Sequence, residues 1–288
     1  MPEHQALPDI VVGIDGSRTA IDAALWAVDD AVSRGIPLRL VCVVAPANTA
    51  PSGIHDVRTA ERALREAIAA VESADETVKI EHEIVHGEPV HALKTACRGS
   101  AMLCVGAAGL AHSGRGRIGS TAAALAATAQ CPVAIITAHH PPPLDGGWVV
   151  AEINESPARE TTLRRATEEA LLRHARLCVV TTWLSRYTDI HDNHAVADGN
   201  RLAKARLDRR LSDWRRRYPD LDVQAVAAHG SFVNYLARES GSIQLVVVAH
   251  DRANGIGELV GPPGRGALRD TNCGLLICEP QNVLSWRN

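Results

Sequence analysis

The amino-acid sequence predicts an α/β protein built from two tandem doubly wound domains, and three observations carry that reading. Short, continuous apolar runs alternate with helical segments, the pattern of parallel strands buried on both faces between crossover helices. The two halves of the 288-residue chain can be laid over one another, so the repeat unit is a whole domain. The proline-rich stretch from His139 to Gly147 separates the halves and reads as a linker. The expected domains are therefore residues 1–140 and 141–288.

In the first half, strand one is expected over Ile10–Ile14. Ser17 reads as the N-cap of a helix through Ser33, with Ile21, Leu25, Val28 and Val32 on one face. Gly35 fits its C-terminal stop. Strand two covers Leu38–Val44, and the long connection from Ala45 to Arg58 leads to a helix near Thr59 to Val71. Strand three runs from about Val78 to His86, with a helix near Pro89 to Cys97 after it. Strand four ends at Val105. A helix from Ser120 to about Ala129 precedes strand five at Val133–Thr137.

The second half repeats these landmarks. Ile10 to Ser17 matches Val150 to Ser156, with Asp15 aligned to Asn154. Leu38 to Val44 matches Arg176 to Thr182, and Ile84 to Glu88 matches Ala227 to Ser231. Met102 to Gly106 matches Leu245 to Ala249, and Cys131 to Ile136 matches Cys273 to Cys278.

Composition narrows the function. Apolar residues make up 46% of the chain, enough for two buried cores. Aromatics make up only 3%, too few for stacking on nucleic-acid bases, and the net charge of −3 lacks the basic surplus of a DNA binder. Nucleic acid is not an expected partner. The basic residues are arginines apart from Lys79, Lys94 and Lys204, a bias that by itself implies no site. Seven cysteines, an odd number with no Cys-x-x-Cys, sit mostly in apolar runs. They read as structural thiols in a reducing compartment, with a redox sensor as the alternative. Met1 to Asp9 is polar and acidic, unlike a signal peptide, and no apolar run approaches the ~18 residues that span a bilayer. The expectation is a cytoplasmic protein without membrane insertion.

The chemistry is concentrated in Gly106-Ala-Ala-Gly109, nine further residues, and Gly119-Ser120. This stretch lies between the apolar run ending at Val105 and an alanine-rich helical segment. Glycines let backbone amides approach a ligand, and a helix N-terminus adds partial positive charge. Ser120 and Thr121 supply hydroxyls, and Arg115 and Arg117 supply cationic charge. The stretch reads as a phosphate cradle, although no P-loop sequence occurs in the chain. Asp15 closes strand one. If strands one and four are neighbours, Asp15 and Gly106 meet at one crevice beyond the carboxyl ends of the strands. The plainer reading of Asp15 is a helix cap beside Ser17, and that of Arg115 and Arg117 is solvated surface charge.

Asp15 after an apolar strand, the spaced glycines from Gly106 to Gly119 with Ser120, and then Cys131-Pro132-Val133 resemble the universal stress protein family. The resemblance covers nearly the whole chain as two tandem copies. It implies a five-stranded parallel sheet of order 3-2-1-4-5 in each, with helices on both faces. It also implies ATP binding by motif-bearing members, with or without Mg²⁺, and association of paired domains through their fifth strands. That pairing is expected within one chain here, with a homodimer as a further form. Carried over by residue, Asp15 would hydrogen-bond the ribose and Val43 would offer backbone groups to adenine. Gly106 would lie against the ribose and phosphates. Gly109, Gly119, Ser120 and Thr121 would hold the triphosphate.

The second copy departs from the motif. Asn154 replaces the aspartate, and Ala249 and Arg252 stand at the first two glycines. The loop to Gly261 is one residue shorter, and Pro262 replaces the serine, removing an amide donor and a hydroxyl together. One nucleotide per chain is expected. The pair His191 and His194 reads as loop surface, and the basic run Arg209 to Arg217 around Leu211 and Trp214 as an amphipathic helix. The function this sequence suggests is an ATP-binding, nucleotide-responsive regulator of stress or dormancy with an unidentified protein partner. The alternatives are a slow ATPase and a structural interaction module that binds another adenine nucleotide.

Overall fold

The computed structural model describes residues 8–46, 54–75, 77–109, 118–137, 147–184, 193–239, 243–252, 254–261, 264, 268 and 273–278. The chain divides into two compact units, Met1–His140 and Pro141–Asn288.

In the first unit the elements run β1 (Ile10–Ile14), α1 (Arg18–Arg34), β2 (Leu38–Val44), α2 (Val57–Ala74), β3 (Ile80–His86), α3 (Pro89–Ala96), β4 (Met102–Gly106), α4 (Ser120–Thr128) and β5 (Val133–Ile136). The strands are parallel in the order β3-β2-β1-β4-β5. β1 pairs β2 up to Ile14 opposite Cys42, and pairs β4 up to Gly13 opposite Val105. The chain leaves β1 toward β2 and leaves β4 toward β5, so a crevice opens between the ends of β1 and β4. Every residue of β4 before Gly106 is buried, as a strand covered on both faces must be.

The second unit repeats the plan with β6 (Trp148–Glu152), α5 (Arg159–Leu172), β7 (Arg176–Trp183), α6 (Asn193–Arg217), β8 (Val223–His229), α7 (Phe232–Arg238), β9 (Ile243–Val248), α8 (Gly257–Val260) and β10 (Gly274–Ile277). Its order is β8-β7-β6-β9-β10, which is again 3-2-1-4-5. Leu207 and Leu211 bury the apolar side of α6, and the Trp214 indole donates to Thr167 Oγ1 at 2.7 Å. Arg201, Arg206, Arg209, Arg210, Arg216 and Arg217 are exposed, whereas Arg215 donates to Val223 O at 3.1 Å.

Element ends follow local chemistry. Ser17 caps α1 by accepting from Ala20 N at 3.2 Å, and Gly35 closes it in the left-handed conformation at φ 61°. α2 begins two residues before the expected start because Asp56 accepts from Thr59 N at 2.8 Å. The buried face of α1 corrects the sequence expectation. Val32 is 41% exposed and Ile21 and Leu25 are only partly covered. The face on the sheet is Ala20, Ala23, Ala24, Ala27 and Ala31, with Trp26 and Val28 at its margins. Small residues let this helix lie close to β4, which a stripe of branched side chains would hold away. None of the seven cysteines is in a disulfide, and all are buried. Among the described residues, no helix is long and apolar enough to cross a membrane.

Candidate functional site

A cavity of about 420 Å³ opens at the carboxyl ends of β1, β2 and β4 in the first unit. That volume is in the range of small-molecule and cofactor sites. It is lined by Asp15, Val43, Gly106, Gly109, Gly119, Ser120 and Thr121, all named from the sequence. Arg115 and Arg117 lie outside the described residues.

Asp15 has two separate tasks for its two oxygens. Oδ1 accepts from Ser17 N at 2.9 Å and fixes the turn into α1. Oδ2 faces Gly109, where a β-carbon would stand 2.8 Å from it. Asp15 is thus a turn acceptor without being the cap of α1, which is Ser17, and its second oxygen is presented at the cavity wall. Its charge also reaches the sheet. Burial, with a contribution from the Asp15 carboxylate, pushes the Cys42 thiol up to about 12.

The glycines divide by what surrounds them. A β-carbon on Gly106 would meet Thr19 Oγ1 at 2.5 Å, Thr19 C at 2.6 Å and Ala20 N at 2.7 Å. Gly106 is therefore required by the close approach of α1, and the Thr19 hydroxyl ties that helix to the loop by donating to Ala108 O. Gly119 has no such neighbour. Its φ of −67° suits any residue, and a β-carbon there would meet Ala107 O only at 3.6 Å. The protein leaves space at position 119, and that space belongs to the cavity.

The N-terminus of α4 supplies the donors. Gly119 N donates to Ala107 O at 2.7 Å, so this amide is committed to the loop. Gly119 is the N-cap and has no side chain with which to cap the helix. Among the described residues, nothing accepts from the amides of Ser120, Thr121 and Ala122, which begin the helix. The Gly119 amide, expected from the sequence to meet an anion, is thus already paired, while the three amides after it have no acceptor among the described residues. Thr121 is partly buried, and Ser120 is exposed at the rim.

The opposite end of the cavity is apolar. Val41, Val43, Ile54, Val90 and Leu93 form its walls. Gly87 N donates to Val44 O at 3.1 Å, so the backbone groups of Val44 face β3. Groups alternate along a strand, so those of Val43 face β1, whose pairing with β2 ends at Cys42. Past the end of β1, Ile54 bridges β2 opposite Val44 in parallel register, with Ala45 N donating to Ile54 O at 2.7 Å. Glu88 lines the same end and accepts from Val90 N at 3.2 Å and His91 N at 2.8 Å, capping α3. Sequence reasoning missed Ile54, Glu88, Leu93 and Gly13. The signal for Gly13 was a glycine inside a strand pattern. A β-carbon there would press Leu93 at 3.2 Å and Val105 at 3.3 Å.

The second unit keeps the turn and fills the space. Asn154 Oδ1 accepts from Ser156 N at 2.9 Å, as Asp15 does from Ser17 N, which places Glu152 at the position of Gly13. Arg252, at the position of Gly109, is 4% exposed. It donates to both Glu152 oxygens, at 2.7 and 3.2 Å, and to Gly255 O at 2.7 Å, and it lies 2.8 Å from Glu258. Burial and the like charge of Glu258 push the Glu152 carboxyl up, against the pull of Arg252. Paired with Glu152 and Glu258, the Arg252 guanidinium stays charged. The sequence flagged Arg252 but not the partner that brings it inward. Pro262 lies outside the described residues, as does His191. Among the described residues, no group of three or more metal-ligating side chains is clustered.

Fold and crevice define a tandem pair of doubly wound α/β domains with a donor-rich helix N-terminus at the switch point of the first. The universal stress protein family model matches residues 8–137. A universal stress protein of Mycobacterium tuberculosis is 42% identical over 286 residues, covering 98% of this chain and 99% of the relative. A second from the same organism is 44% identical over 83% of this chain and 87% of its own length. The crystal structure of a universal stress protein from Archaeoglobus fulgidus covers 95% of this chain and 97% of its own at TM-score 0.67 and 14% identity, a likeness of fold. This chain belongs to the universal stress protein family.

Proposed function

We propose that the first unit binds an adenine nucleotide, ATP with or without Mg²⁺, and that the protein acts as a nucleotide-responsive regulator. One observation carries the reading. A single cavity joins an apolar end at Val41, Val43 and Ile54 to a polar end with the Asp15 carboxylate and amides at the start of α4 that have no acceptor among the described residues. A purine suits the first end. A carboxylate accepts two ribose hydroxyls, and helix amides receive phosphate oxygens. Regulation would work through a change of the surface at the start of α4 when phosphates engage it; residues 110–117 of the loop before it lie outside the described residues.

Turnover is not part of the proposal. The carboxylates lining the cavity are Asp15 and Glu88, and each already accepts backbone N–H groups. In-line phosphoryl transfer needs a positioned water and charge neutralisation beyond these. Mass spectrometry of the ligand in freshly purified protein, followed by calorimetry, tests the reading. The expected result is an adenine nucleotide bound at one equivalent per chain. Two equivalents, or no binding of any purine nucleotide, reject it.

A further inference from the structure

At the amino-terminal edge of the first sheet, away from the nucleotide cavity, two cysteines lie side by side. Cys97 follows α3 as its C-cap, and Cys131 stands two residues before β5. The Cys97 thiol donates to Lys94 O at 3.6 Å, and the two thiols act on each other's titration. Both border a second cavity, of about 460 Å³, together with Lys94, Arg98 and Gln130. We propose that Cys97 and Cys131 form a redox-active dithiol that a hydroperoxide entering this cavity converts to a disulfide.

A cysteine buried alone is inert, because low polarity disfavours the thiolate. Cys42 is that case here. Cys97 is held differently. The Cys131 thiol and the charges of Arg39 and Lys94 favour its anion, so its pKa falls below the ordinary thiol value while that of Cys131 rises. Cys97 is thus the attacking sulfur and Cys131 the resolving one. Arg39 is fixed for this role. It reaches Asp9 at 2.5 Å and Glu83 at 2.6 Å, and it donates to Ala96 O at 2.6 Å, one residue before Cys97.

The chemistry balances. The Cys97 thiolate attacks one peroxide oxygen, the O–O bond breaks, and an alkoxide or hydroxide leaves and takes up a proton. Cys97 becomes a sulfenic acid, oxidised by two electrons as the peroxide is reduced. The Cys131 thiol then gives up its proton, its sulfur attacks the Cys97 sulfur, and the S–O bond breaks to release water. The sum is two thiols and one hydroperoxide giving one disulfide, one alcohol (water from hydrogen peroxide) and one water. The cross-link would join the end of α3 to the entry of β5, closing the segment that carries β4 and α4.

The test uses the full, reduced chain treated with an equimolar dose of hydrogen peroxide, alkylated, and digested without reductant. The expected product joins the peptides of Cys97 and Cys131. Cys131→Ser should stop at a Cys97 sulfenic acid that dimedone tags, and Cys97→Ser should slow peroxide consumption by about tenfold or more. Folding of each variant is checked by circular dichroism. Should either variant fail to fold, the wild-type digest decides. Recovery of both cysteines singly alkylated, a cross-link through Cys104 instead, or dimedone spread evenly over Cys42, Cys97 and Cys104 would overturn the proposal.

Discussion

Arg252 donates to both carboxylate oxygens of Glu152, through Nε at 2.7 Å and Nη2 at 3.2 Å, where the first unit has Gly109 and Gly13. Two side chains absent from the first unit meet in the second and occupy the ends of β6 and β9 with charge. The divergence of the two copies is therefore a paired replacement. An arginine at position 252 alone would keep only Glu258 as its counter-charge, and a glutamate at 152 alone would be a buried anion.

That dependence sets the first prediction. Arg252→Ala should destabilise the second unit by about 3–5 kcal/mol, because Glu152 is left uncompensated beside Glu258. Replacing the pair together, Glu152→Leu with Arg252→Met, should recover most of that loss. Urea denaturation of the wild type and both variants measures it. A single variant within about 1 kcal/mol of wild type would show that the pair does not hold the ends of β6 and β9.

The two glycines of the cradle should respond in opposite ways. Gly106→Ala forces a methyl against Thr19 and Ala20 backbone atoms within 2.7 Å, so it should cost about 1–3 kcal/mol of stability. A β-carbon at position 119 meets no atom closer than 3.6 Å, so the stability of Gly119→Glu should stay within about 1 kcal/mol of wild type. ATP affinity should nevertheless fall by more than about tenfold, because the carboxylate enters the phosphate end of the cavity. Thermal melts and calorimetry on both variants separate the effects. Unchanged ATP affinity in Gly119→Glu would place the phosphates elsewhere.

Much of this was legible in the sequence, and the exceptions share a cause. Strand positions, the order of elements and the contrast between the two motifs follow from local pattern and from turn chemistry such as Ser17 and Gly35. The buried face of α1 was misplaced because hydrophobicity points to Ile21, Leu25 and Val32, whereas close packing on β4 selects alanine. Gly106 and Gly119 look alike as letters, yet one is dictated by Thr19 and Ala20 and the other by empty space. Glu152 and Glu88 escaped notice because each acts through a partner distant in sequence or through a cap visible only in three dimensions.

Asp15→Asn offers a clean dissection of turn from site. Asn154 shows that an amide oxygen accepts the same serine N–H at the same 2.9 Å, so the turn into α1 should survive. What is lost is negative charge and one strong acceptor facing Gly109. Stability should change by less than about 1 kcal/mol, and ATP affinity should fall about tenfold, the worth of one charge-assisted hydrogen bond. Calorimetry on the purified variant checks it. Equal affinity in wild type and variant would remove Asp15 from the ribose site.

The last prediction concerns pH and the seam between α6 and β8. Asp208 is held below the usual carboxylate range by its hydrogen bond from Lys204, aided by Arg215. Arg215 also donates to Val223 O at 3.1 Å, so the carboxylate steadies a side chain that ties the helix to the strand. A carboxylate whose folded pKa is depressed contributes stability that is present above its unfolded value of ~3.9 and is lost as pH falls through the folded value. Asp208→Asn should therefore lower stability by about 0.2–1 kcal/mol near neutral pH, the range for a partly exposed ion pair. The gap between wild type and variant should begin to close as the pH drops below ~4 and vanish below the depressed folded value, where both side chains are uncharged. Denaturant midpoints measured at ~pH 7, ~pH 5 and ~pH 3 follow it. A gap that stays constant down to ~pH 3 would mean that the Asp208 contribution is packing and not charge.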